Sequence, residues 1–223
     1  MNIFRNIHKY LLAAMILLPF TAQAVYVDFT DSTGWSPAPG TTSSTQKTVD
    51  GITITVSALV DGGAGTLYWD NTDGYGIRGG EEDEIDARNE RIERLRVNFS
   101  SPIAQLSRID ITDLFYEPTA PQYFEYGYYK IDDGAWTIFV QDDMGKLPSP
   151  TSNGEFSILT SYMNVSDIYF RAYIGGDNLP NEYGPHEFSV GGIEIVPEPG
   201  TYLMLGSLLI IVAMARKKKR LIA

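Results

Sequence analysis

The chain has 223 residues, no cysteine and a formal net charge of −11, from 28 acidic and 17 basic residues. The absence of cysteine excludes a disulfide framework, a thiolate zinc site and a Cys-His nucleophile pair. The excess of negative charge argues against nucleic acid as a partner, because the phosphate backbone would be repelled.

The N-terminal segment has the three parts of a secretory signal peptide. Arg5 and Lys9 give a positive start, an apolar run occupies residues 10–20, and Ala22-Gln23-Ala24 is a small-x-small cleavage site. The apolar run is too short to favour a membrane-spanning helix. We therefore expect signal peptidase to remove residues 1–24 by cleavage after Ala24. Residues 25–195 then form the exported domain.

The exported part is more acidic than the whole chain. Residues 25–196 contain 10 basic and 27 acidic residues, a net charge of −17, because seven of the basic residues lie nearer the two termini. Such a surface favours solubility outside the cell and attracts cations, including Ca²⁺.

Short runs of alternating apolar and polar residues recur along the exported part, separated by Gly, Pro, Asp and Asn. Asp50-Gly51 indicates a turn, and Asp132-Asp133-Gly134 indicates a hairpin turn. We expect an all-β fold, a single β-sandwich of the jelly-roll type. The predicted strands are Val25–Phe29, Ile52–Val56, Thr66–Trp69, Leu95–Phe99, Ile109–Ile111, Phe124–Ile131, Ala135–Val140, Phe156–Leu159, Ile168–Ile174 and Phe188–Ile195.

Two segments depart from the strand pattern. Ser32–Thr48 is rich in Ser, Thr, Pro and Gly and predicts a loop. Ala87–Arg94 has the composition of a short helical turn. No internal repeat or second domain is evident.

Five carboxylates occupy six positions between Glu81 and Asp86. Ca²⁺ takes six to eight oxygen ligands, and an acidic loop flanked by glycine can supply several, although the ligand order of an EF-hand is missing. A solvated acidic loop, partly paired with nearby arginines, is the alternative that the sequence leaves open. In a strand Ile85 would point inward and the carboxylates on either side outward. The candidate calcium ligands are Asp73, Glu82, Asp83, Glu84 and Asp86.

Aromatic residues are concentrated in one predicted strand and the hairpin that follows it. Tyr126 and Tyr128 share one face of the strand, and Trp136 follows the hairpin turn. Flat aromatic faces stack on sugar rings in many sandwich domains, so we expect glycan contact at these three residues. The alternative is core packing, because Tyr and Trp are also favoured in buried strands.

The sequence offers little catalytic chemistry. His186 is the one histidine of the exported part, and no Gly-x-Ser-x-Gly elbow occurs. His186 precedes a predicted strand and is interpreted as a loop histidine. A glycosidase needs only two carboxylates across a sugar, and 27 acidic residues are too many to single out a pair. We expect no enzymatic activity, with a secreted glycan-acting hydrolase as the alternative.

The C-terminal segment combines a proline pair, an apolar run and a basic cluster. Tyr202–Ala215 contains no charge, and its 14 residues span roughly 21 Å as a helix, short of the usual bilayer thickness of about 30 Å. Local thinning and snorkelling can make up the difference. Positive residues stay in the cytoplasm, so Pro197 lies outside. The orienting residues are Arg216, Lys217, Lys218, Lys219 and Arg220.

This order of features resembles the PEP-CTERM sorting signal of Gram-negative bacteria. The matching residues are Val196, Pro197, Glu198, Pro199 and Thr201, followed by the short apolar span and the basic cluster, and the resemblance is confined to residues 196–223. Gly200 stands where Ala or Ser is commoner. The resemblance implies recognition by exosortase, a membrane protease-transpeptidase, and delivery to the cell surface or extracellular matrix of a host that makes exopolysaccharide.

The sequence therefore predicts an exported protein, held transiently at the inner membrane and then sorted to the surface or matrix. There we expect a non-enzymatic module associated with polysaccharide, with Ca²⁺ as a candidate ion. The secreted hydrolase remains the alternative from another class, and a structural surface protein without a specific ligand is the third.

Overall fold

Strands account for nearly all regular structure in a computed structural model of the chain, which describes residues 23–35, 42–79, 83–86, 91–114, 116–117, 123–140, 155–172 and 186–198. A single short helical turn among these residues, α1 (Ser32–Trp35), contains non-helical dihedral angles at Thr33 and Gly34. The prediction of an all-β fold is confirmed. The strands are β1 (Val25–Asp28), β2 (Ser44–Val49), β3 (Ile52–Val60), β4 (Gly63–Ala64), β5 (Leu67–Asp70), β6 (Gly74–Ile77), β7 (Ile85–Asp86), β8 (Glu93–Thr112), β9 (Tyr116–Glu117), β10 (Tyr123–Phe124), β11 (Tyr126–Ile131), β12 (Thr137–Val140), β13 (Phe156–Ala172) and β14 (Glu187–Val196).

Two long antiparallel strands, β8 and β13, organise the main sheet. The first half of β8 pairs with β3, and its second half pairs with β14. The change of partner occurs at the exposed Ser100-Ser101-Pro102, where the strand can bend. Strands that turn such corners carry one sheet into a second layer. We call the strands β2, β3, β8, β13, β11 and β12 the first half-sheet, and the strands β13, β8, β14 and β1 the second half-sheet.

A bulge in β13 separates its two halves. The register against β8 shifts between Val165 and Asp167, next to Asn164, whose φ is 57°. The Asp132 carboxylate accepts hydrogen bonds from the backbone N–H groups of Ser166 at 3.0 Å and Asp167 at 2.8 Å. The hairpin turn that contains Asp132 therefore fixes the shape of the bulge, and with it the position of Asp167.

Both predicted turns are confirmed, and the structure shows that the turn at Asp50-Gly51 is also a hairpin turn, because β2 pairs with β3 across it. Asp50 and Gly51 have φ values of 47° and 81° between the paired residues Val49 and Ile52, as a two-residue primed turn requires. The second turn joins β11 to β12, and Asp132 in it has a φ of 47°. Asp and Asn tolerate this left-handed region better than most residues.

The core lies under the inner faces of the two half-sheets. At one end, the Phe29 ring packs edge-on against Trp35 at 5.0 Å and Tyr75 at 5.5 Å. The Tyr75 hydroxyl donates to the Trp35 carbonyl at 2.5 Å, so the buried phenol is satisfied. Burial raises the pKa of Tyr75. The strands contribute their alternate residues to this core, as in Ile54, Val56 and Ala58 of β3.

Several predicted segments need correction. Leu95–Phe99 and Ile109–Ile111 belong to one strand, because β8 bends rather than ends at Pro102. The predicted helical turn is wrong at its last two residues, since β8 begins at Glu93, while residues 87–90 lie outside the described part. The predicted loop Ser32–Thr48 contains β2, whose polar residues reflect its place at the sheet edge.

The predicted targeting segments lie almost wholly outside the described residues, apart from residues 23–24 and 196–198. Ala22, Pro199, Thr201 and the basic cluster are among the residues outside. In the described ranges, no helix is long and apolar enough to cross a membrane. Residues Ala24–Pro197 form one compact unit.

Candidate functional site

One row of side chains crosses four strands on the outer side of the first half-sheet. Direct cross-strand pairs place Ser57 beside Arg96, Arg96 beside Tyr169, and Tyr169 beside Lys130. Neighbouring strands lie about 4.8 Å apart, so this first row spans roughly 14 Å. Arg96 alternates with the buried Leu95 and Val97, which shows that the row faces away from the core.

Cations and aromatic rings alternate along this surface. The Arg96 guanidinium lies 5.6 Å from the centre of the Tyr169 ring, and the Lys130 ammonium lies 4.7 Å from the same ring. Lys130 is also 5.5 Å from the Trp136 ring. Each distance falls within the range of a cation–π contact, which extends to about 6 Å.

Arg171 extends the series to the next aromatic residues. Its guanidinium lies 4.5 Å from the Trp136 ring and 5.0 Å from the Tyr128 ring. Six side chains are thus joined by contacts of a single kind, and each of them is half-buried. We name this surface the cation–aromatic face, and its members are Arg96, Tyr128, Lys130, Trp136, Tyr169 and Arg171.

Asp167 anchors the face at one end. Its carboxylate accepts hydrogen bonds from the Arg96 Nε at 2.8 Å and from the Asn98 Nδ2 at 2.9 Å. The hydrogen bond to Asp167 raises the pKa of Arg96, which stays charged. Because Asp132 fixes the bulge beside Asp167, the orientation of Arg96 is set by the backbone of β13. Such fixed side chains lose little conformational entropy when a ligand binds.

The face is cationic on an otherwise acidic protein. Arg94 shares the outer side of β8 with Arg96, so Arg94, Arg96, Lys130 and Arg171 place four of the 10 basic residues of segment 25–196 on one surface. Within the ranges that the structure describes, neither Lys130 nor Arg94 forms an ion pair. Their charge is therefore available to an external anion.

The predicted glycan contacts divide into two groups. Tyr128 and Trp136 meet on the cation–aromatic face, where both contact Arg171. Tyr126 is only 6% exposed, its ring lies edge-on to His186 at 5.4 Å, and its N–H donates to the His186 Nδ1 at 3.1 Å. Sequence reasoning did not single out Arg96, Lys130, Tyr169 and Arg171. The alternations Arg94-x-Arg96 and Tyr169-x-Arg171 could have indicated them, once both segments were assigned to adjacent strands.

The predicted calcium ligands occupy different environments. The Asp83 carboxylate accepts the Gly79 N–H at 3.1 Å and faces Arg78 at 4.0 Å. Asp73 is half-buried beside Asp70, and burial followed by the Asp70 charge raises the pKa of its carboxyl group. Glu82 lies outside the described residues. Over the residues that are described, no group of three or more acidic or histidine side chains is arranged to hold a metal ion.

Ile85 is fully buried, as predicted, but the expectation that its neighbours are exposed is wrong. Glu84 is 7% exposed and Asp86 is 1% exposed. The reason is the position of β7, which pairs with β14 through Phe188 and Glu187 and so lies inside the fold. Alternation in a strand leaves one face solvated only when that face is uncovered.

A buried carboxylate cluster lies where β7 meets the start of β8. Glu93 has no exposed surface, its carboxylate contacts the Arg91 guanidinium at 2.9 Å, and it accepts the Asp86 N–H at 3.1 Å. Burial, with a further contribution from the Asp86 charge, raises the pKa of Glu93 to about 7. Arg91 also donates to the Gly79 carbonyl at 2.6 Å. The cluster therefore ties three chain segments together.

His186 does not offer an accessible base. It precedes β14, as expected, but it is only 3% exposed, and burial lowers its pKa to about 4. The ring is therefore neutral near pH 7, and its Nδ1 accepts the hydrogen bond from Tyr126.

No family model, curated protein or solved structure matches this chain. Support for a function therefore comes from the geometry of the cation–aromatic face and from the sequence features at the two termini.

Proposed function

We propose that the chain is an exported surface or extracellular-matrix protein, a jelly-roll-like β-sandwich that binds polysaccharide without enzymatic action. Signal peptidase would cleave after Ala24. The short helix Tyr202–Ala215 would then hold the chain at the inner membrane until exosortase acts on Pro197-Glu198-Pro199. This part of the proposal is supported by the two termini and by the resemblance of the tail to a PEP-CTERM signal.

The cation–aromatic face supports binding of a sugar chain. Tyr128, Trp136 and Tyr169 present partly exposed rings on one outer sheet surface, within reach of the same cations. Aromatic rings supply large contact area with little side-chain entropy to lose. Thr55, Asn98 and Asp167 form a neighbouring polar row across three strands, suited to the hydroxyl groups of a sugar. A ligand that lies across the strands could contact both rows.

The binding claim is tested by co-sedimentation of the full-length chain, in mild detergent, with the exopolysaccharide of its host. We expect saturable binding and a loss of about fivefold or more in affinity for Trp136→Ala, since stacking on an aromatic ring is worth about 1 kcal/mol or more. Tyr68→Ala is the matched control, because Tyr68 also stacks with an arginine, Arg78, at 5.5 Å on another edge of the sheet.

Three outcomes would count against this proposal. Absence of binding, or equal binding by Trp136→Ala and the unaltered chain, would contradict the claim that the cation–aromatic face binds polysaccharide. Release of reducing ends from the same polysaccharide would favour the hydrolase alternative.

The sorting claim has a separate test. Removal of residues 196–223 should abolish surface display, and Pro197→Ala combined with Pro199→Ala should do so while leaving the apolar span intact. Immunolabelling of intact cells measures both variants. Unchanged display of either one would contradict exosortase sorting through this motif.

A further inference from the structure

We infer that the cation–aromatic face selects acidic polysaccharides, meaning chains with carboxylate or sulfate groups, over neutral ones. This inference rests on the proposed function and names the chemical class of its ligand. The observation behind it is the distribution of basic side chains over the described part of the molecule.

Most described cations are neutralised by a carboxylate on the same protein. Ion pairs join Lys47 to Asp31, Arg78 to Asp83, Arg91 to Glu93, Arg96 to Asp167 and Arg108 to Asp110. Lys130 and Arg94 form no ion pair with a described residue, and both lie on the outer side of the first half-sheet. These two cations without an ion pair therefore lie on the same surface.

Lys130 occupies a particular electrostatic setting. Its ammonium group lies between the Tyr169 ring at 4.7 Å and the Trp136 ring at 5.5 Å. The negative faces of these rings hold the cation in place without supplying a full counter-charge. Ring contacts do not consume the strong N–H donors of an ammonium group, so they remain available for a charge-assisted hydrogen bond to a carboxylate or sulfate oxygen.

The chemistry of acidic sugars fits this alternation of rings and cations. A uronate or a sulfated sugar carries its anion directly on a pyranose ring. Stacking of that ring on Trp136 would bring the anion toward Lys130, because the cation lies against the same aromatic ring. A neutral sugar would gain the stacking interaction alone. It would also displace water from the cation without supplying an anion to replace the lost hydrogen bonds.

The charge of the rest of the protein opposes the binding of an acidic polysaccharide. Segment 25–196 has a net charge of −17 and would repel a polyanion. Salt screens such repulsion beyond about 8 to 10 Å at physiological ionic strength, whereas direct contacts on the face persist. Binding of an acidic chain therefore requires a local concentration of cations, which is the arrangement found here.

The test compares three polymers that share one glucan backbone: dextran, carboxymethyl dextran and dextran sulfate. The full-length chain in mild detergent is titrated with each polymer by affinity electrophoresis. We expect both acidic polymers to bind at least about tenfold more tightly than dextran, and raised salt to weaken that binding. Preference for only one acidic polymer would assign the anion as carboxylate or sulfate. Equal binding of dextran and the acidic polymers, or no binding of any of them, would overturn the inference.

Charge-matched variants separate a local site from general electrostatics. Lys130→Gln should lower the affinity for the preferred acidic polymer about fivefold, and Arg94→Gln should add to this loss. Arg78→Gln removes the same charge from an arginine that also stacks on a tyrosine, away from the face, and should leave binding unchanged. Equal losses for Arg78→Gln and Lys130→Gln would overturn the inference, provided that thermal melts show both variants folded.

The inference and the proposed function can fail separately. Binding of the host exopolysaccharide without any preference for acidic polymers would refute the inference and leave the polysaccharide-binding function intact. If the host exopolysaccharide does not bind at all, the proposed function fails first.

Discussion

The two half-sheets repeat one local arrangement with different outcomes. The first row, described above, contains Ser57, Arg96, Tyr169 and Lys130. A second row crosses the other half-sheet and contains Tyr26, Glu194, Arg108 and Leu159 in direct cross-strand pairs. Both rows use the same two long strands, β8 and β13, on either side of their bend.

The central arginine is held in the same way in each row. Arg96 donates its Nε to Asp167 at 2.8 Å and lies 5.6 Å from the Tyr169 ring. Arg108 donates its Nε to Asp110 at 2.6 Å and lies 5.4 Å from the Tyr26 ring. An aspartate, an arginine and a tyrosine thus form a structural unit that occurs twice among the described residues.

The surroundings of the two units differ in charge. In the second row, Arg108 lies beside both Asp110 and Glu194, and the row ends at Leu159, which is 73% exposed. In the first row, Arg96 has Asp167 as its carboxylate partner, and the row continues to Lys130, which has none among the described residues. The shared unit positions an arginine in each row. The additional cation Lys130, which has no ion pair with a described residue, distinguishes the surface proposed to bind a ligand.

The largest expected effect concerns the carboxylate of the second row. Asp110 is 8% exposed and also accepts the Ser157 hydroxyl at 2.5 Å, whereas Asp167 lies closer to solvent. Asp110→Ala should therefore lower the free energy of unfolding by about 3 kcal/mol and Asp167→Ala by about 1 kcal/mol. The difference is expected because hydrogen bonds to a buried carboxylate contribute more to stability than hydrogen bonds to a carboxylate nearer to solvent. Urea denaturation measures both values. Equal losses would contradict the view that the second row is the structural one.

Glu93, at the start of the same strand, tests how the fold tolerates buried charge. Its pKa is raised to about 7 from an ordinary value of 4.5. The folded state therefore holds a proton that the unfolded chain releases between pH 4.5 and 7, so stability falls as the pH rises through this window. One pKa unit corresponds to about 1.4 kcal/mol, so the interval from 4.5 to 7 sets an upper limit of about 3.5 kcal/mol on this loss of stability.

Replacement of Glu93 by Gln should remove this pH dependence. The difference in unfolding free energy between Glu93→Gln and the unaltered chain isolates the contribution of Glu93 from that of the other carboxylates. We expect the variant to become more stable relative to the unaltered chain as the pH rises from 4.5 to 7. Above pH 7 the difference in unfolding free energy should stay constant. Parallel stability curves for the two proteins would show that folding does not raise the pKa of Glu93.

A pair of arginine variants compares the rows in binding. Arg96→Gln should weaken binding of an acidic polysaccharide about fivefold, or about 1 kcal/mol. Arg108→Gln removes the equivalent side chain of the second row and should leave the affinity unchanged, although it leaves Asp110 without its charged partner. Titration of both variants with carboxymethyl dextran provides the measurement. A comparable loss for Arg108→Gln would assign binding to both rows, or to net charge alone.

Calcium is expected to have the smallest effect. The described acidic residues near Ile85 are either buried or close to an arginine. We expect the melting temperature in millimolar Ca²⁺ to lie within about 1 °C of its value in chelator. A rise of several degrees would instead indicate a site that binds the folded state, with Glu82 as the first ligand to replace.

Local patterns predicted much of the strand content. Alternation located the inner faces of β3 and β8, and the Asp50-Gly51 pair predicted its turn, because both signals depend on neighbouring residues alone. The pattern could not show that β8 continues through Pro102, since three exposed residues look like a loop in sequence. The pattern also missed β2, because this polar edge strand has no buried apolar face that would produce an alternating sequence.

The candidate site could be predicted only in part. Tyr128 and Trp136 lie close together in sequence, so aromatic content alone singled them out. Arg96 and Tyr169 lie 73 positions apart and meet only because β8 pairs with β13 in one particular register. The burial of Tyr126 depends on its contact with His186, 60 positions away. Such contacts follow from topology, which local alternation does not determine.

The most direct measurement is a fluorescence titration at Trp136. The chain has three tryptophans. Trp35 is 1% exposed, and the Trp69 indole donates to the Phe29 carbonyl, so a ligand on the face should alter the emission of Trp136. Carboxymethyl dextran should change the emission of the unaltered chain saturably, while dextran should not, and Trp136→Phe should remove the change. Binding of carboxymethyl dextran without any Trp136-dependent change would contradict the assignment of this face.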